Sequence, residues 1–475
     1  MNAFGFKNAR VVRSGWLEEG GRRLDCNPYM SGALEARDTL RKLKVRKDAL
    51  HILTSGYAGG IYNGPMFKRN YVESPEHGVP FISSGTMLLA DLSNLPLLSR
   101  TDAQSSRLSY LRLMPGMTII SCSGTIGRMT YVRPDMNGVW SSQDVLKVVP
   151  DPDRIPPGYL YTFLSSRYGV PLVVSGTYGA IIQHIEPEHI SNIEIPRFGA
   201  ALESEIDRAI QSAAELRSEF QKGIDIATRQ LLKYAGVEDC PSYQWNKLPS
   251  EAGFAAKISV GRTMRAANYS PRVKELLARV IKAGSVPLGQ VCERGQLSTG
   301  ARFKRIDCEP SEGVRLVGQK QGFWMQPEGR WISPRHAPTG IFAVDESVLI
   351  ASSGTLGENE VYCRPILVTG RWLDFAYTQH FLRVVSGDPN FSGAFLFAYL
   401  RSEIAFRALR SMSTGSKQQE IHGELVANLP IPVLTDSQRN EIERLVRNAF
   451  NARDKADSFE GAAMSKFEQQ IEGES

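Results

Sequence analysis

A duplicated architecture is indicated by the block Ile120-Ser121-Cys122-Ser123-Gly124-Thr125-Ile126-Gly127, because it recurs as Ile350-Ala351-Ser352-Ser353-Gly354-Thr355-Leu356-Gly357. In each copy the apolar residues of a predicted strand lead into S-G-T-x-G. Glycine accepts positive φ and the hydroxyls can hydrogen-bond the turn backbone, so the pattern predicts a tight turn. Exposed amides and hydroxyls can also hold a phosphate. A structural turn and a phosphate-binding loop are therefore both open.

The block recurs after 230 positions, and residue pairs on either side of it are 236 positions apart. The pairs are Phe67-Lys68-Arg69 with Phe303-Lys304-Arg305, Gln143 with Gln379, Val148-Val149 with Val384-Val385, Gly179 with Gly415, Ile185 with Ile421, Asn192 with Asn428, Ile195-Pro196 with Ile431-Pro432, and Glu205-Ile206 with Glu441-Ile442. One constant separation, with free variation between the pairs, indicates a duplicated fold with two diverged surfaces. The 475 residues suffice for two domains of ordinary size.

Composition indicates an ordinary globular protein. The chain is 42% hydrophobic and 22% charged, with a net charge of +6, so neither disorder nor a fibrous class is indicated. The six cysteines are scattered without a C-x-x-C pair, which argues against a zinc ribbon or a disulfide framework. The N-terminal segment lacks a signal-peptide core, and no apolar run approaches the length of a membrane span. We expect a cytoplasmic protein without membrane contact.

The body of each repeat mixes strands and short helices. Strands are predicted at Met117–Ser121 and Val145–Val149 in the first repeat, and at Ser347–Ile350 and Phe381–Val385 in the second. Helices are predicted at Leu34–Leu43 and Tyr159–Ser166 in the first repeat, and at Val273–Ile281 and Phe395–Ser402 in the second. The fold class is therefore α+β.

A long helix is predicted after each Ile-Pro strand exit, because the apolar spacing there changes from two to about 3.5 residues. The first stripe is Leu202, Ile206, Ala209, Ala213, Leu216, Phe220, Ile224, Ala227 and Leu231, and the second is Ile442, Leu445, Ala449, Ala452, Ala456, Phe459, Ala463, Phe467 and Ile471. Each stripe predicts a rod of roughly 50 Å. We expect the two helices to bury their stripes on each other as an antiparallel pair; packing of each helix on its own domain alone is the alternative.

Polar loops and basic pairs provide the candidate ligand-binding residues. The small, polar segment from Ser175 to Ile185 corresponds to Met412–Ile421 and offers Gln, His, Lys and hydroxyl side chains. Gln can bond a base edge through two hydrogen bonds, and basic pairs can neutralise phosphates. A solvated surface pair is the alternative for these cations. Basic residues also gather ahead of each repeat, which fits DNA binding and packing on a partner equally well.

Catalytic motifs are not recognisable. The glycines of Ser55–Gly64 are not followed by G-K-[ST], H-E-x-x-H does not occur, and Asn27-Pro28-Tyr29 lacks the second proline of the amino-methyltransferase motif. His184 and His189 straddle a proline, a weak arrangement for a metal pair. These absences lower the expectation of an enzyme, and we expect neither a metal nor a cofactor on this chain.

Taken together, these residues resemble the specificity subunit of type I restriction-modification systems. The likeness lies in the order of I-S-C-S-G-T-I-G, the S-S-Q-D-V segment Ser141–Val145, Pro156–Ser166, the segment Gly176–Ile185, and I-P before a long helix, an order that the second half repeats. The resemblance implies a non-catalytic protein with two target-recognition domains, each reading one half of a split DNA site. It also implies that the paired helices dock methyltransferase subunits and fix the gap between the half-sites.

The domain boundaries follow from the repeat and the resemblance. They are an N-terminal extension and first target-recognition domain at 1–200, a first spacer helix at 201–236, a linker at 237–261, a second target-recognition domain at 262–433, and a second spacer helix at 434–475. The two helices would pair as an antiparallel coiled coil. The sequence departs from the family where the glutamine expected after the I-P exit is present as Gln438 but replaced by Leu202 in the first half. Residues 1–22 and 237–261 have no clear family counterpart.

The residues expected to contact DNA are those of the basic pairs and the paired loops. They are Lys68, Arg69, Ser123, Thr125, Arg128, Gln143, Thr177, Tyr178, Gln183, His184, Lys304, Arg305, Ser353, Thr355, Gln379, Thr414, Ser416, Lys417, Gln418 and Gln419. Contacts to a partner protein are expected from Leu216, Phe220, Ile224, Leu445, Phe459 and Phe467. The resemblance implies two methyltransferase subunits as partners, motor-nuclease subunits as further partners, and S-adenosylmethionine on the methyltransferase.

Two domains with one frame and different loop residues are expected to read different half-sites, whereas identical domains would read a palindrome. The sequence therefore predicts an asymmetric bipartite target in double-stranded DNA. Two other classes stay open. A protein-binding adaptor would show a shallow salt dependence with DNA, and a methyltransferase or nuclease with unrecognised motifs would bind S-adenosylmethionine or a divalent metal by itself.

Overall fold

The computed structural model describes residues 11–19, 27–175, 184–248, 253–256 and 263–474. The chain forms two compact units. Unit 1 comprises Met1–Leu88, Leu95–Ser218 and Lys455–Ser475, and unit 2 comprises Leu89–Asn94 and Glu219–Asp454. The units are therefore interleaved in sequence rather than consecutive, because each one includes part of both long helices. Within the described ranges, no helix has the length and apolar character that a membrane crossing needs.

Unit 1 is built from short strands and helices that precede the first long helix. Its strands are β1 (Lys47–Ala49), β2 (Ile61–Tyr62), β3 (Tyr71–Val72), β4 (Gly78–Ile82), β5 (Leu97–Ser99), β6 (Thr118–Ser121), β7 (Met129–Tyr131), β8 (Trp140–Ser141), β9 (Val145–Val148) and β10 (Glu194–Pro196). Its helices are α1 (Ser14–Glu19), α2 (Asn27–Met30), α3 (Ala33–Lys42), α4 (Arg100–Ala103), α5 (Pro157–Ser165), α6 (Gly169–Ser175), α7 (Pro187–Ile190), the first part of α8 (Ala200–Tyr234) and the second part of α15 (Asp436–Glu474).

The main sheet of unit 1 has the strand order β2-β9-β6-β7, and every neighbouring pair is antiparallel. A second sheet has the order β3-β5-β4-β8, in which β4 and β8 run parallel. The strands β1 and β10 pair separately. All residues of β6 and β9 are buried, because α5 and its neighbours cover the sheet with Tyr159, Phe163 and Leu164.

Unit 2 contains the remaining strands and helices. Its strands are β11 (Ser285–Pro287), β12 (Gln296–Thr299), β13 (Val314–Val317), β14 (Gly329–Ile332), β15 (Ser347–Ala351), β16 (Ser353–Gly354), β17 (Pro365–Val368), β18 (Ala376–Tyr377), β19 (Phe381–Val385), β20 (Ser413–Gly415), β21 (Gln419–Ile421) and β22 (Pro430–Pro432). Its helices are the second part of α8, α9 (Ser242–Trp245), α10 (Pro271–Ala283), α11 (Leu288–Val291), α12 (Gly393–Leu400), α13 (Glu403–Ser411), α14 (Gly423–Val426) and the first part of α15.

The main sheet of unit 2 has the order β12-β19-β15-β17, again antiparallel throughout. A smaller sheet, β14-β13-β18, contains a parallel pair, and β11 pairs with β22 as β1 does with β10. A third sheet, β16-β21-β20, includes the second S-G-T block. The strands and helices predicted in the two bodies are present with ends shifted by up to two residues, and the prediction of mixed α and β structure is confirmed.

The segment predicted as a linker is partly packed into unit 2. Val237 and Cys240 are buried in its core, Asp239 accepts a hydrogen bond from the Ile404 amide at 3.0 Å, and the Arg272 guanidinium lies 3.6 Å from the Trp245 ring centroid. The proline and glycine content of this segment indicated breaks in periodicity, but it did not reveal the apolar contacts that hold its first half in place.

The long helices α8 and α15 contact each other within each unit. In unit 1 Lys466 pairs with Glu205 and Arg217 pairs with Asp457 at 3.0 Å, so residue numbers rise along one helix as they fall along the other. In unit 2 the rings of Phe220 and Phe450 meet edge to face, with centroids 5.2 Å apart.

The same helices also pack on the bodies of their units. In unit 1 Phe467 lies 5.6 Å from Tyr159 and 6.0 Å from Phe163 between ring centroids, and in unit 2 Phe450 meets Phe397 at 5.2 Å. Contact with the other long helix and contact with the body therefore occur together.

One member of the predicted apolar stripe lies outside the buried surface of α15. Phe459 is 45% exposed, whereas Asp457 and Glu460 beside it are buried. The reason is Arg217 on α8, which is itself buried and forms ion pairs with both carboxylates. Glu460 also accepts a hydrogen bond of 2.5 Å from the Tyr161 hydroxyl. Buried ion pairs thus lie on the face of α15 where the apolar spacing predicted the Phe459 ring.

Candidate nucleic-acid interface

The first S-G-T block forms a turn at the end of β6. Gly124 and Gly127 have φ of 76° and 79°, values that residues with a Cβ rarely adopt. Two hydrogen bonds close the turn. The Gly127 amide donates to the Ser121 carbonyl at 2.9 Å, and the Arg128 amide donates to the Ser121 hydroxyl at 3.0 Å. The predicted turn is confirmed. Thr125 at its tip is exposed, while Ser123 and Arg128 are half-buried.

Three separated segments of unit 1 meet at this turn. Ser123 forms a β-bridge with His184, and the Cys122 amide donates to the Asp144 carbonyl at 3.0 Å. Arg69 then binds the Asp144 carboxylate at 2.9 Å. The structure therefore brings Arg69, Gln143, Ser123 and His184 together, with Lys68 exposed beside them. Thr177, Tyr178 and Gln183 lie outside the described residues.

Unit 2 places its basic pair in the same relation to the polar segment that precedes β19. Arg305 donates to the Gln379 side-chain oxygen at 3.1 Å, and the Ser352 amide donates to the His380 carbonyl at 2.9 Å. Lys304 is exposed and Gln379 is half-buried. Burial, together with Arg305 and Arg302, lowers the pKa of His380 below its ordinary value.

The second S-G-T block differs from the first because it forms strand β16 and pairs with a hairpin. Strands β20 and β21 make this hairpin, and Ser416, Lys417 and Gln418 are exposed at its tip. Thr355 is exposed and Thr414 is half-buried. Ser353 and Gln419 are buried, so in this conformation their side chains do not reach the surface as expected.

Hydrogen bonds explain the burial of these two residues. Gln419 accepts a hydrogen bond from Arg265 and donates one to the Ser416 carbonyl, while the Ser353 backbone is bonded twice by Gln319, at 2.6 Å and 3.2 Å. Both residues shape the hairpin that presents Ser416, Lys417 and Gln418. Arg265 was not among the expected site residues, because no pattern in the sequence links it to a loop 150 residues away.

Each unit contains a buried cation on the strand next to its polar loops. Lys147 on β9 donates to the Val145 carbonyl at 2.8 Å, and Arg383 on β19 donates to the Ile341 carbonyl at 3.0 Å. Burial lowers the pKa of Lys147 to about 7 and lowers the pKa of Arg383. The sequence carried a signal for this pair, since V-L-K-V and L-R-V-V place the two cations 236 positions apart.

The side chains and backbone groups near the turns suit the binding of phosphates and base edges. Burial raises the pKa of the Cys122 thiol to about 12, so this cysteine is not an activated nucleophile. The described ranges contain no group of three or more His, Cys, Asp or Glu residues placed to hold a metal ion. What the loops do offer is exposed cations, amides and hydroxyls, which suit phosphates and base edges.

The six residues expected to contact a partner protein differ in accessibility. Phe220 and Ile224 are buried in the core of unit 2, and Phe467 is buried in the core of unit 1. Leu216 and Leu445 are half-buried. Phe459 is the member of this set with an exposed ring.

Comparisons with known proteins found likeness among solved structures. No protein-family model and no curated protein matches the chain. A type I restriction-modification system S subunit from M. genitalium shares 13% identity, with 90% of this chain and 93% of that chain covered and a TM-score of 0.33. The HsdS subunit from Thermoanaerobacter tengcongensis shares 11% identity, with 90% and 97% covered and a TM-score of 0.27.

A third structure, on complex assembly and conformational transition of the type I R-M system, shares 12% identity, with 90% and 96% covered and a TM-score of 0.25. TM-scores of this size do not establish a shared fold.

Proposed function

We propose that this chain is a non-catalytic DNA-recognition protein, the specificity subunit of a type I-like restriction-modification complex or a related defence complex. The observation that carries the proposal is the same arrangement in both units. In each unit the arginine of a Phe-Lys-Arg segment bonds to the polar loop that precedes β9 or β19. Its partner is Asp144 in unit 1 and Gln379 in unit 2, and the lysine of the segment is exposed.

The two kinds of side chain in this arrangement have different tasks. Lys68 and Lys304 neutralise phosphates, because an exposed ammonium can pair with a phosphate and release the counterions that the DNA holds there. Gln143, Gln379 and the hairpin tip at Ser416, Lys417 and Gln418 read base edges, because amide groups match the donor and acceptor pattern of the major groove. Residues 177, 178 and 183 complete the proposed contact surface of unit 1.

The proposed target is bipartite and asymmetric. The units share the order of strands in their main sheets but differ at the surface, where unit 1 has His184 bridged to a tight turn and unit 2 has a strand paired with a hairpin. Two tandem target-recognition domains with different loops read different half-sites. We also propose that the repeat arose by duplication, because the main sheets of the two units share one order of strands.

We further propose that the two long helices form an antiparallel coiled coil that docks two methyltransferase subunits. Phe220, Ile224 and Phe467 would hold the helices in place, and the exposed Phe459 would contact the methyltransferase, because large aromatic side chains often anchor protein interfaces. S-adenosylmethionine and adenine methylation belong to that partner, and DNA cleavage to a motor-nuclease subunit. We place the complex in the cytoplasm.

The salt dependence of DNA binding tests the proposed phosphate contacts. We expect the affinity of the full chain for duplex DNA to fall steeply with salt, and Lys68→Ala and Lys304→Ala each to reduce the slope of log K against log salt by about 1. Lys455→Ala in unit 1 and Lys282→Ala in unit 2 are matched controls, since both lysines are exposed and outside the proposed surface.

Two results would contradict these contacts. A shallow slope for the unaltered chain would favour the protein-binding adaptor. An unchanged slope in both Lys68→Ala and Lys304→Ala would remove the Phe-Lys-Arg segments from the interface.

A further inference from the structure

Three tyrosines of unit 1 form a compact aromatic cluster that the proposed interface does not use. Tyr57 stacks on Tyr110, with ring centroids 3.9 Å apart and planes within 12°. Tyr62 meets both rings edge on, at 5.0 Å and 5.7 Å, and its hydroxyl donates to the Tyr110 carbonyl at 3.1 Å. Tyr62 is buried, whereas Tyr57 is 52% exposed. The cluster is therefore anchored at one end and open at the other.

The backbone around Tyr57 has an unusual conformation, and the Tyr57 ring on it is exposed. Gly56, Gly59 and Gly60 have positive φ, and so does Ala58 at 46°, a region that a residue with a Cβ seldom occupies. The Thr54 hydroxyl holds this loop by donating to the Gly59 carbonyl at 2.6 Å. Unfavourable backbone conformations of this kind cluster at binding sites.

An open cavity of about 570 Å³ lies against the cluster. Its lining includes Tyr57, Tyr62, His51, Asn63 and Glu188. Small-molecule sites typically have volumes of roughly 300–1,000 Å³ and combine aromatic walls with a few polar groups. This cavity has both the size and the composition of such a site.

The polar groups of the lining suit a flat ring that carries an amino group. His51 Nδ1 lies 3.0 Å from the Ser191 carbonyl; a carbonyl only accepts, so Nδ1 donates and Nε2 is an acceptor in the neutral ring. Asn63 donates to Glu186 at 2.8 Å, which orients its amide. Acceptors beside a stacking surface match the exocyclic amino groups of adenine, cytosine and guanine.

The cavity adjoins the candidate interface of unit 1. Gly64, next to Asn63, packs so closely on Gln143 that an added Cβ would lie 3.2 Å from its Cα. Glu186, the partner of Asn63, is two residues beyond His184. At the positions of unit 2 that match Tyr57 and Tyr62 the sequence has Glu293 and Ser298, so these two tyrosines are not repeated there. The feature therefore belongs to one half of the molecule.

We propose that the Tyr57–Tyr110 stack and the adjoining cavity hold a single unstacked nucleobase bearing an exocyclic amino group. The base comes either from an unpaired position in DNA or from a free nucleotide, and the first source rests on the proposed DNA-binding function. Adjacency to Gln143 and His184 favours a nucleobase over a proline-rich peptide, the other ligand that aromatic grooves accept.

The test uses the full chain and 2-aminopurine, whose fluorescence falls when the base stacks on an aromatic ring. Three probes are compared: a duplex with one unpaired 2-aminopurine, the same duplex fully paired, and free 2-aminopurine deoxyribonucleotide. We expect the unpaired position to tighten binding by about ten-fold, as stacking of one base on one aromatic residue does, with fluorescence quenched. Tyr57→Ala should abolish both effects, and Tyr57→Phe should keep them.

Tyr71→Ala is the matched control, because Tyr71 is 50% exposed and lies in the same unit. Quenching of the free nucleotide that depends on Tyr57, without binding of either duplex, would support the site and overturn the proposed DNA-binding function. Binding of both duplexes with equal affinity, and no quenching that depends on Tyr57, would overturn this inference and leave that function standing. Binding of a proline-rich peptide in place of both base probes would also overturn it.

Discussion

Lys147 shows how a residue's environment can differ from what its sequence neighbours indicate. In V-L-K-V a single lysine interrupts an apolar strand, and lysine side chains are ordinarily exposed to water. Instead both faces of β9 are covered, and the ammonium is satisfied by the carbonyls of Ser142 and Val145 within hydrogen-bonding distance. A sequence shows the lysine within the strand but not whether a second layer covers it, so its burial could not be predicted.

The lowered pKa of Lys147 predicts a rise in stability with pH. Since the pKa is about 7 in the folded chain and about 10.4 in an unfolded one, the unfolded chain binds more protons between these values. The free energy of opening at β9 should therefore rise by about 1.4 kcal/mol per pH unit from pH 7 to about pH 8.5, above which the raised pKa of the Cys122 thiol opposes the rise. Hydrogen exchange of β9 amides, corrected for intrinsic rates, measures this slope.

Lys147→Met should remove the pH dependence, because methionine is of similar length and does not titrate. Lys282→Met, at an exposed position, should leave the slope unchanged. If the unaltered chain and Lys147→Met gave the same slope, Lys147 would not be the group responsible.

For the expected site residues, the sequence predicted the local segments and turns better than it predicted which side chains are exposed. The Phe-Lys-Arg segments and the turn at Gly124 and Gly127 could be read directly, because spacing and glycine usage report local geometry. The burial of Gln419 depends on Arg265, a contact between distant parts of the chain that leaves no local pattern.

The helices α8 and α15 approach each other closely in unit 2. Gly223 on α8 faces Ala449 on α15, and a methyl group added to Gly223 would lie 2.7 Å from the Ala449 side chain. Small residues at such a crossing let two helix backbones come close. The apolar spacing predicted both helices, but it placed Phe459 in the buried stripe, because spacing alone cannot reveal that Arg217 draws Asp457 and Glu460 inward.

A pair of glycine substitutions tests this close approach. Gly223→Ala should lower the free energy of unfolding by about 1–3 kcal/mol, because the added methyl group forces the helices apart. Gly461→Ala on α15 should raise it by about 0.5–1 kcal/mol, since the site has open space around it and alanine favours helix.

Urea unfolding of both variants provides the comparison. Stabilisation by Gly223→Ala would mean that the two helices are further apart than described.

At the scale of the molecule, the sequence indicated two similar bodies, and the structure has two units whose main sheets share the order of four strands. The duplication was visible because matched residues keep one separation along the chain. The interleaving of the units was not visible in the sequence. It arises because the long helices and the segment Leu89–Asn94 join the cores of the units, and no local sequence pattern indicates such contacts. The different loops of the two units lead to the central claim of two different half-sites.

The measurement that tests this claim most directly is the map of modified adenines. The chain is co-expressed with the proteins encoded beside it, and N6-methyladenine is located throughout the host DNA. We expect one split motif whose two halves differ in sequence and are separated by a constant gap. A palindromic motif, a single uninterrupted motif, or no modified adenine would contradict it.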